Sequence, residues 1–232
     1  MGWNMSANTT LTADDGHQCS AYVAKGSSPA RAGVVVVQEI FGVNSHIRSV
    51  VDDYAAQGFL AVAPALFDRV QPGLELGYQP ADVTRGIAAA TQIGLEPALR
   101  DVAAAISYAA QVLNGAKIAV VGYCLGGTLA WLASTRLNPA AAVAYYGGRI
   151  AQHAAETPRY AVMLHFGAKD RHIPPSEIAA IQQLHPDLPL FVYDAGHGFN
   201  CDQRPDYDPQ SAALARQRTL EFLRKHLLDQ QS

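Results

Sequence analysis

The chain is expected to fold as an α/β protein built on a mostly parallel, twisted sheet with helices on both faces. Three observations carry that expectation. Short, continuously apolar runs alternate with segments of helical periodicity along the chain, and Val34-Val-Val-Val37 is the clearest run. Such runs suit strands buried on both faces of a parallel sheet, whereas half-exposed antiparallel strands alternate apolar with polar residues. A length of 232 residues fits one such domain but not two, and an apolar share of 49% can fill a large core.

Residues 1–16 lack periodicity and are expected to be a frayed leader within a single domain spanning 1–232. Gln18–Val23 is expected to form an antiparallel edge strand paired with the first long strand. Parallel strands follow at Ala32–Val37, Phe59–Ala63, Lys117–Gly122, Ala140–Tyr145, Ala161–Phe166 and Pro189–Tyr193. The helical segments are His46–Gln57, stopped by Gly58, and Glu96–Leu113, stopped near Gly115, with glycine relieving the backbone past each helix end. Leu125–Thr135, Pro175–Leu184 and Pro209–Leu227 complete the set. The last carries Ala212, Ala215, Leu220, Phe222, Leu223 and Leu227 on a docking face. Pro64–Gln92 mixes turn residues with a short helix from Asp82 and is placed across the top edge of the sheet.

Composition narrows the function. The net charge is −3, charged residues make up 16%, and no block of like charge supplies a basic footprint for nucleic acid. No apolar run approaches the roughly 18 residues of a membrane span, and the first residues lack a basic region followed by an apolar one, so neither a membrane anchor nor a signal peptide is expected. Cys19, Cys124 and Cys201 are widely spaced without a CxxC pair, which points to a reducing, cytoplasmic setting. His165, His172 and His185 do not share metal-ligand spacing, so strand-end and loop roles are expected for them and no metal or cofactor.

The most informative stretch is Gly122-Tyr123-Cys124-Leu125-Gly126-Gly127, directly after Lys117-Ile-Ala-Val-Val121 and before the helical Thr128-Leu-Ala-Trp-Leu-Ala-Ser. Strand, sharp turn and helix in that order form the nucleophile elbow of the α/β-hydrolase fold, here with cysteine in place of the usual serine. Small residues two before and two after the nucleophile let backbones pass closely. The turn also aims the Leu125 amide and the positive end of the following helix at the thiol, favouring thiolate and an oxyanion.

An elbow nucleophile needs an acid and then a histidine, later in the chain and at the same sheet edge. Asp170 in Gly167-Ala-Lys-Asp170 and His197 in Asp194-Ala-Gly-His197 each follow the carboxyl end of an expected strand. Asp194 is the alternative carboxylate. The loop Gln38-Glu39-Ile40-Phe41-Gly42, after the valine run, is placed to supply Ile40 as the second oxyanion amide. It also sets Glu39 beside the thiol, where a carboxylate opposes ionisation unless it serves as a partner for the thiol proton.

The segments Gln38-Glu-Ile-Phe-Gly-Val-Asn44, Gly122-Tyr-Cys-Leu-Gly-Gly127, Tyr145-Tyr-Gly147, Asp170 and Gly196-His197-x-Phe199, with the tail Ala212-Ala-Leu-Ala-x-x-Arg218-Thr-Leu, closely resemble the dienelactone hydrolase family. The resemblance runs from about residue 18 to 226. It implies a carboxymethylenebutenolidase-like enzyme acting on a small lactone or enol ester, without cofactor, monomeric and cytoplasmic. It further implies Cys124 as nucleophile, His197 as base, Asp170 as its orienter and Glu39 as the residue that meets the thiol. Ile40 and Leu125 would then line the oxyanion hole. Family members that bind a substrate carboxylate use two arginines. Cys201 stands where one would fall, Arg85 is the counterpart of the other, and Arg204 is a possible replacement. Tyr146 and Phe41 are expected to line the substrate pocket. The rival readings are a non-catalytic fold and a thiol redox sensor pairing Cys124 with Cys201.

Overall fold

A computed structural model describes residues 5–228. Its eight strands form one sheet in the order β1-β2-β4-β3-β5-β6-β7-β8. These are β1 (Met5–Thr12), β2 (Gln18–Lys25), β3 (Gly33–Val37), β4 (Leu60–Pro64), β5 (Ile118–Tyr123), β6 (Ala141–Tyr145), β7 (Ala161–Gly167) and β8 (Leu190–Tyr193). From β4 to β8 every neighbouring pair is parallel, and β1 and β2 are antiparallel. Strands β3, β4, β5 and β6 are buried along their whole lengths, as their unbroken apolar runs require.

Two expectations about the N-terminal edge are corrected. Residues 5–12 are no frayed leader but the edge strand β1, in register with β2 from Met5 opposite Lys25 to Thr12 opposite Gln18. An edge strand exposes one face and needs no apolar run. Its ladder hydrogen bonds and the buried Leu11 hold it instead. Strand β2 is therefore internal, and it pairs with β4 rather than with β3. The β1–β2 turn is tied down by ion pairs from Asp14 to Arg100 and from Asp15 to Arg69.

The helices are α1 (Ser45–Ala56), α2 (Pro80–Ile93), α3 (Leu95–Val112), α4 (Leu125–Arg136), α5 (Pro175–Leu184) and α6 (Pro209–Leu227). Helix α1 packs on β2, β3 and β4 and α6 on β5, β6 and β7, and Arg216 of α6 reaches Asp53 of α1 at 2.6 Å. Helices α3 and α4 pack against each other and against the central strands. Every residue of α4 from Gly126 to Thr135 is buried, so this helix is apolar all round rather than amphipathic. Helix α2 is longer than expected, because Pro80 occupies its first turn and the Gln79 amide donates to Asp82 Oδ2 at 3.1 Å.

A buried polar chain crosses the core under β7. Arg218 donates to the Tyr193 hydroxyl at 3.1 Å, which leaves that hydroxyl to donate to His165 Nδ1 at 2.9 Å. His165 Nε2 then donates to Thr219 Oγ1 at 3.1 Å, and Thr219 meets the Tyr145 hydroxyl at 2.7 Å. With the Arg218 donor on the Tyr193 hydroxyl, the bonds run in one direction when a neutral His165 carries its proton on Nε2, an assignment made from the hydrogen-bond network.

Candidate active site

Cys124 sits between β5 and α4 with φ 54° and ψ −111°, in a region that side chains other than glycine rarely adopt. Such a conformation stores about 1–3 kcal/mol and persists only where the surroundings impose it. They do so through backbone packing. A Cβ on Gly122 would lie 1.8 Å from Gly126 O, and one on Gly126 would lie 2.2 Å from Val37 O. The Cys124 amide donates to Tyr145 O at 3.0 Å, and Gly126 N donates to Gln38 O at 3.1 Å. The second bond ties the elbow to the loop after β3. Gln38 itself is buried and accepts from Leu66 N at 3.1 Å.

The loops after β7 and β8 bring two further groups to the same edge. His197 Nε2 is 3.2 Å from Cys124 Sγ, and His197 Nδ1 is 2.7 Å from Asp170 Oδ2. The other Asp170 oxygen accepts from the amides of His172 and Ile173 at 2.8 and 3.2 Å, so the carboxylate is fixed before it meets the imidazole. Burial opposes the charged imidazole of His197, but the Cys124 sulfur and the Asp170 carboxylate outweigh it and hold His197 well above its ordinary 6.5. Burial likewise works against the Asp170 carboxylate, yet its bond to His197 leaves it below the usual aspartate value. A thiol, an imidazole and a carboxylate in one hydrogen-bonded chain can pass a proton away from sulfur. Asp194, the alternative acid, is exposed and paired with Lys169 at 2.9 Å.

Glu39 is almost wholly buried, with Oε1 accepting from Arg204 at 3.0 Å. Arg204 also feels the charge of Cys124, so it lies within electrostatic reach of both groups.

Cys124 opens on a cleft of about 210 Å³ lined by Ile40, Leu125, Thr128, Ile87, Thr91 and Arg149, among others. Leu125 is the first residue of α4, so its amide has no acceptor within the helix. Ile40 and Leu125 line this cleft together with Cys124. The four expected substrate contacts fall elsewhere. Arg85 lies on the exposed side of α2, bonded to Gln71 at 2.8 Å, because the buried Gly86 and Ala89 turn the other face inward. Arg204 is committed to Glu39. Phe41 is buried against Tyr78 at 4.6 Å between ring centres, and Arg204 lies 5.7 Å from its ring. Tyr146 is fully buried behind His197, 5.1 Å ring to ring, with φ 38°.

Arg149 is the cleft residue that motif reading missed. It follows the Tyr145-Tyr-Gly147 segment, and its only sequence signal is its place just past the end of β6. His172, expected to be an ordinary loop residue, stands edge-on to His197 at 5.1 Å. His185 packs on Trp131 and meets Ala154 O at 2.6 Å. Cys201 donates to the Tyr78 hydroxyl at 3.3 Å, and burial pushes its thiol up to about 11. Burial likewise pushes the Cys19 thiol up to about 12.

Among the described residues, no helix is long and apolar enough to cross a membrane. A family model described as the dienelactone hydrolase family matches residues 19–227. Carboxymethylenebutenolidase 1 of Cupriavidus pinatubonensis is 32% identical, with 94% of this chain and 97% of that protein covered. Carboxymethylenebutenolidase of Pseudomonas putida is 34% identical, covering 94% and 96%. A crystal structure from Klebsiella pneumoniae with a provisional dienelactone hydrolase name superposes with a TM-score of 0.83 at 29% identity, over 94% and 98% of the two chains. A dienelactone hydrolase-like promiscuous phosphotriesterase from metagenomic libraries, 21% identical with a TM-score of 0.73 over 95% and 98%, shares the fold. With its α/β-hydrolase sheet and a matched segment running from residue 19 to residue 227, the chain belongs to the dienelactone hydrolase family.

Proposed function

We propose that the protein hydrolyses lactones or activated enol esters through a thioester on Cys124. The observation that carries this is the hydrogen-bonded chain Asp170–His197–Cys124 opening on a cleft between Ile40 and Leu125. His197 accepts the thiol proton, and the sulfur attacks the acyl carbon. The amides of Ile40 and Leu125 receive the oxyanion. Collapse expels the enolate, and His197 returns the proton to it. His197 then takes a proton from water, which attacks the thioester and releases the acid and the thiol. A thiolate is itself a good leaving group and loses the competition against an alkoxide or amine, which restricts the substrate to esters that leave easily.

Asp170 keeps Nδ1 of His197 protonated, so that Nε2 is the nitrogen that exchanges the proton with sulfur. Arg204 compensates the Glu39 charge, which lessens its opposition to a thiolate forming nearby. Arg149 lies exposed on the cleft wall, and a guanidinium there suits an acyl group that carries a carboxylate. The printed names of the carboxymethylenebutenolidase relatives support the lactone class.

The test is to mix the protein with an activated ester, quench in acid within a turnover and map the modified peptide by mass spectrometry. An acyl group on the peptide holding Cys124 is expected. Turnover with the acyl group on another residue would overturn the reading.

A further inference from the structure

A second cluster of reactive side chains shares Glu39 with the site but not its thiol. One ring nitrogen of His46, one carboxylate oxygen of Glu39 and the Cys201 sulfur all lie within 4.8 Å of one another, and all three residues are buried. His46 Nδ1 is held by Asp202 Oδ1 at 3.2 Å, and Glu39 Oε1 by Arg204 at 3.0 Å. The remaining atoms, His46 Nε2 and Glu39 Oε2, are buried without a hydrogen-bond partner, and so is the Tyr146 hydroxyl. A buried polar atom left unpaired pays the full cost of leaving water. Two such atoms beside a thiol call for an occupant.

We propose that Glu39, His46 and Cys201 bind a divalent ion of the zinc class. Mixed oxygen, nitrogen and sulfur donors suit Zn²⁺ or Co²⁺, whereas Mg²⁺ and Ca²⁺ take oxygen alone. Tetrahedral bond lengths set donor separations of roughly 3.3–3.8 Å, so atoms within 4.8 Å of one another close by about 1.5 Å at most. Charge balances as well. The Cys201 thiol gives its proton to solvent and its sulfur lone pair to the ion, and the thiolate with the Glu39 and Asp202 carboxylates offsets the ion's two charges and that of Arg204.

The supporting shell is already in place. Asp202 on the distal nitrogen of His46 makes the carboxylate–histidine–metal arrangement, and it fixes which nitrogen is free. The Tyr78 hydroxyl, now accepting from Cys201 and from Asn44 Nδ2 at 3.1 Å, can turn its proton toward the thiolate. Entry is open, because His46, Asn200 and Asp202 line a surface cleft of about 340 Å³. The proposal shares Glu39 with the hydrolytic reading but uses neither Cys124 nor His197, and metal binding is read without turnover.

The experiment titrates Co²⁺ into the reduced, chelator-treated full chain carrying Cys124→Ala, which removes the competing thiol. One equivalent should bind with a sulfur-to-cobalt charge-transfer band, and Zn²⁺ should displace it. Cys201→Ala in the same background should abolish the band. Asp202→Ala, a change at an exposed residue, should keep the band and weaken binding about 10- to 100-fold. The proposal is overturned if the Cys124→Ala chain shows no band, which would leave water as the occupant, if the band survives Cys201→Ala, or if Asp202→Ala binds as tightly as its parent.

Discussion

Arg204 holds the buried Glu39 carboxylate at 3.0 Å, so the acid carried by the loop after β3 is buried as half of an ion pair rather than as a lone charge. Removing one partner of a buried pair strands the other charge. Arg204→Met is therefore expected to destabilise the fold by about 3–5 kcal/mol in urea unfolding. The double variant Glu39→Gln/Arg204→Met should recover most of that loss. Additive losses in the two single variants and the double would mean that the contact carries no coupling.

Asp170 makes three hydrogen bonds, one to His197 and two to backbone amides. Asp170→Asn preserves its shape but offers a donor to Nδ1, which selects the wrong imidazole tautomer. A fall in kcat on the order of 10³- to 10⁴-fold with little change in KM is expected. Asp194→Asn should leave both constants alone, because Asp194 faces solvent and Lys169. A raised KM with kcat intact in Asp170→Asn would move the orienting role elsewhere.

Arg149 reaches the cleft and Arg85 does not. For a matched lactone pair, one bearing a carboxylate and one its methyl ester, wild type should favour the acid in kcat/KM. Arg149→Ala should remove about 1.5–3 kcal/mol of that preference, or roughly ten- to a hundredfold. Arg85→Ala should leave the preference unchanged. Equal values for acid and ester in wild type would show a cleft that does not read charge.

His165 is buried, and desolvation lowers it from 6.5 to about 3. Between those values the unfolded chain binds a proton that the folded chain refuses, so stability falls as the pH drops below 6.5. The slope is up to about 1.4 kcal/mol per pH unit. His197 acts in the other window. Its raised value gives stability that is complete below 6.5 and is lost as the pH rises through the folded value. His165→Gln should flatten the stability profile between pH 6.5 and 5, above the carboxylate range, by about one proton. His226, also lowered by burial, leaves a smaller residual slope. An unchanged slope in the variant would mean that His165 is not the acid-sensitive group.

The central architecture was legible because its physics is local. Unbroken valine and alanine runs mark β3 and β5, and the glycines around Cys124 mark a turn that only they can make. Asp170 and His197 were legible from their places after strand ends. The edge was not, since β1 owes its order to pairing with β2 rather than to any apolar pattern of its own. Arg85 was misjudged and Arg149 missed for a related reason. Which side of α2 faces the cleft depends on how Gly86 packs against the Ile40 carbonyl, a contact between segments 46 residues apart. The Glu39–His46–Cys201 cluster joins the loop and helix just after β3 to a segment far along the chain and carries no spacing that a motif search reads.

The central claim is that Cys124, 3.2 Å from His197 Nε2, performs the nucleophilic step. The most direct measurement is kcat/KM for an activated enol-ester lactone in wild type and Cys124→Ala, with urea unfolding to confirm an intact fold. Loss of activity by more than about 10³-fold at unchanged stability is the expected result. A folded Cys124→Ala protein that retained a tenth or more of the wild-type rate would contradict it.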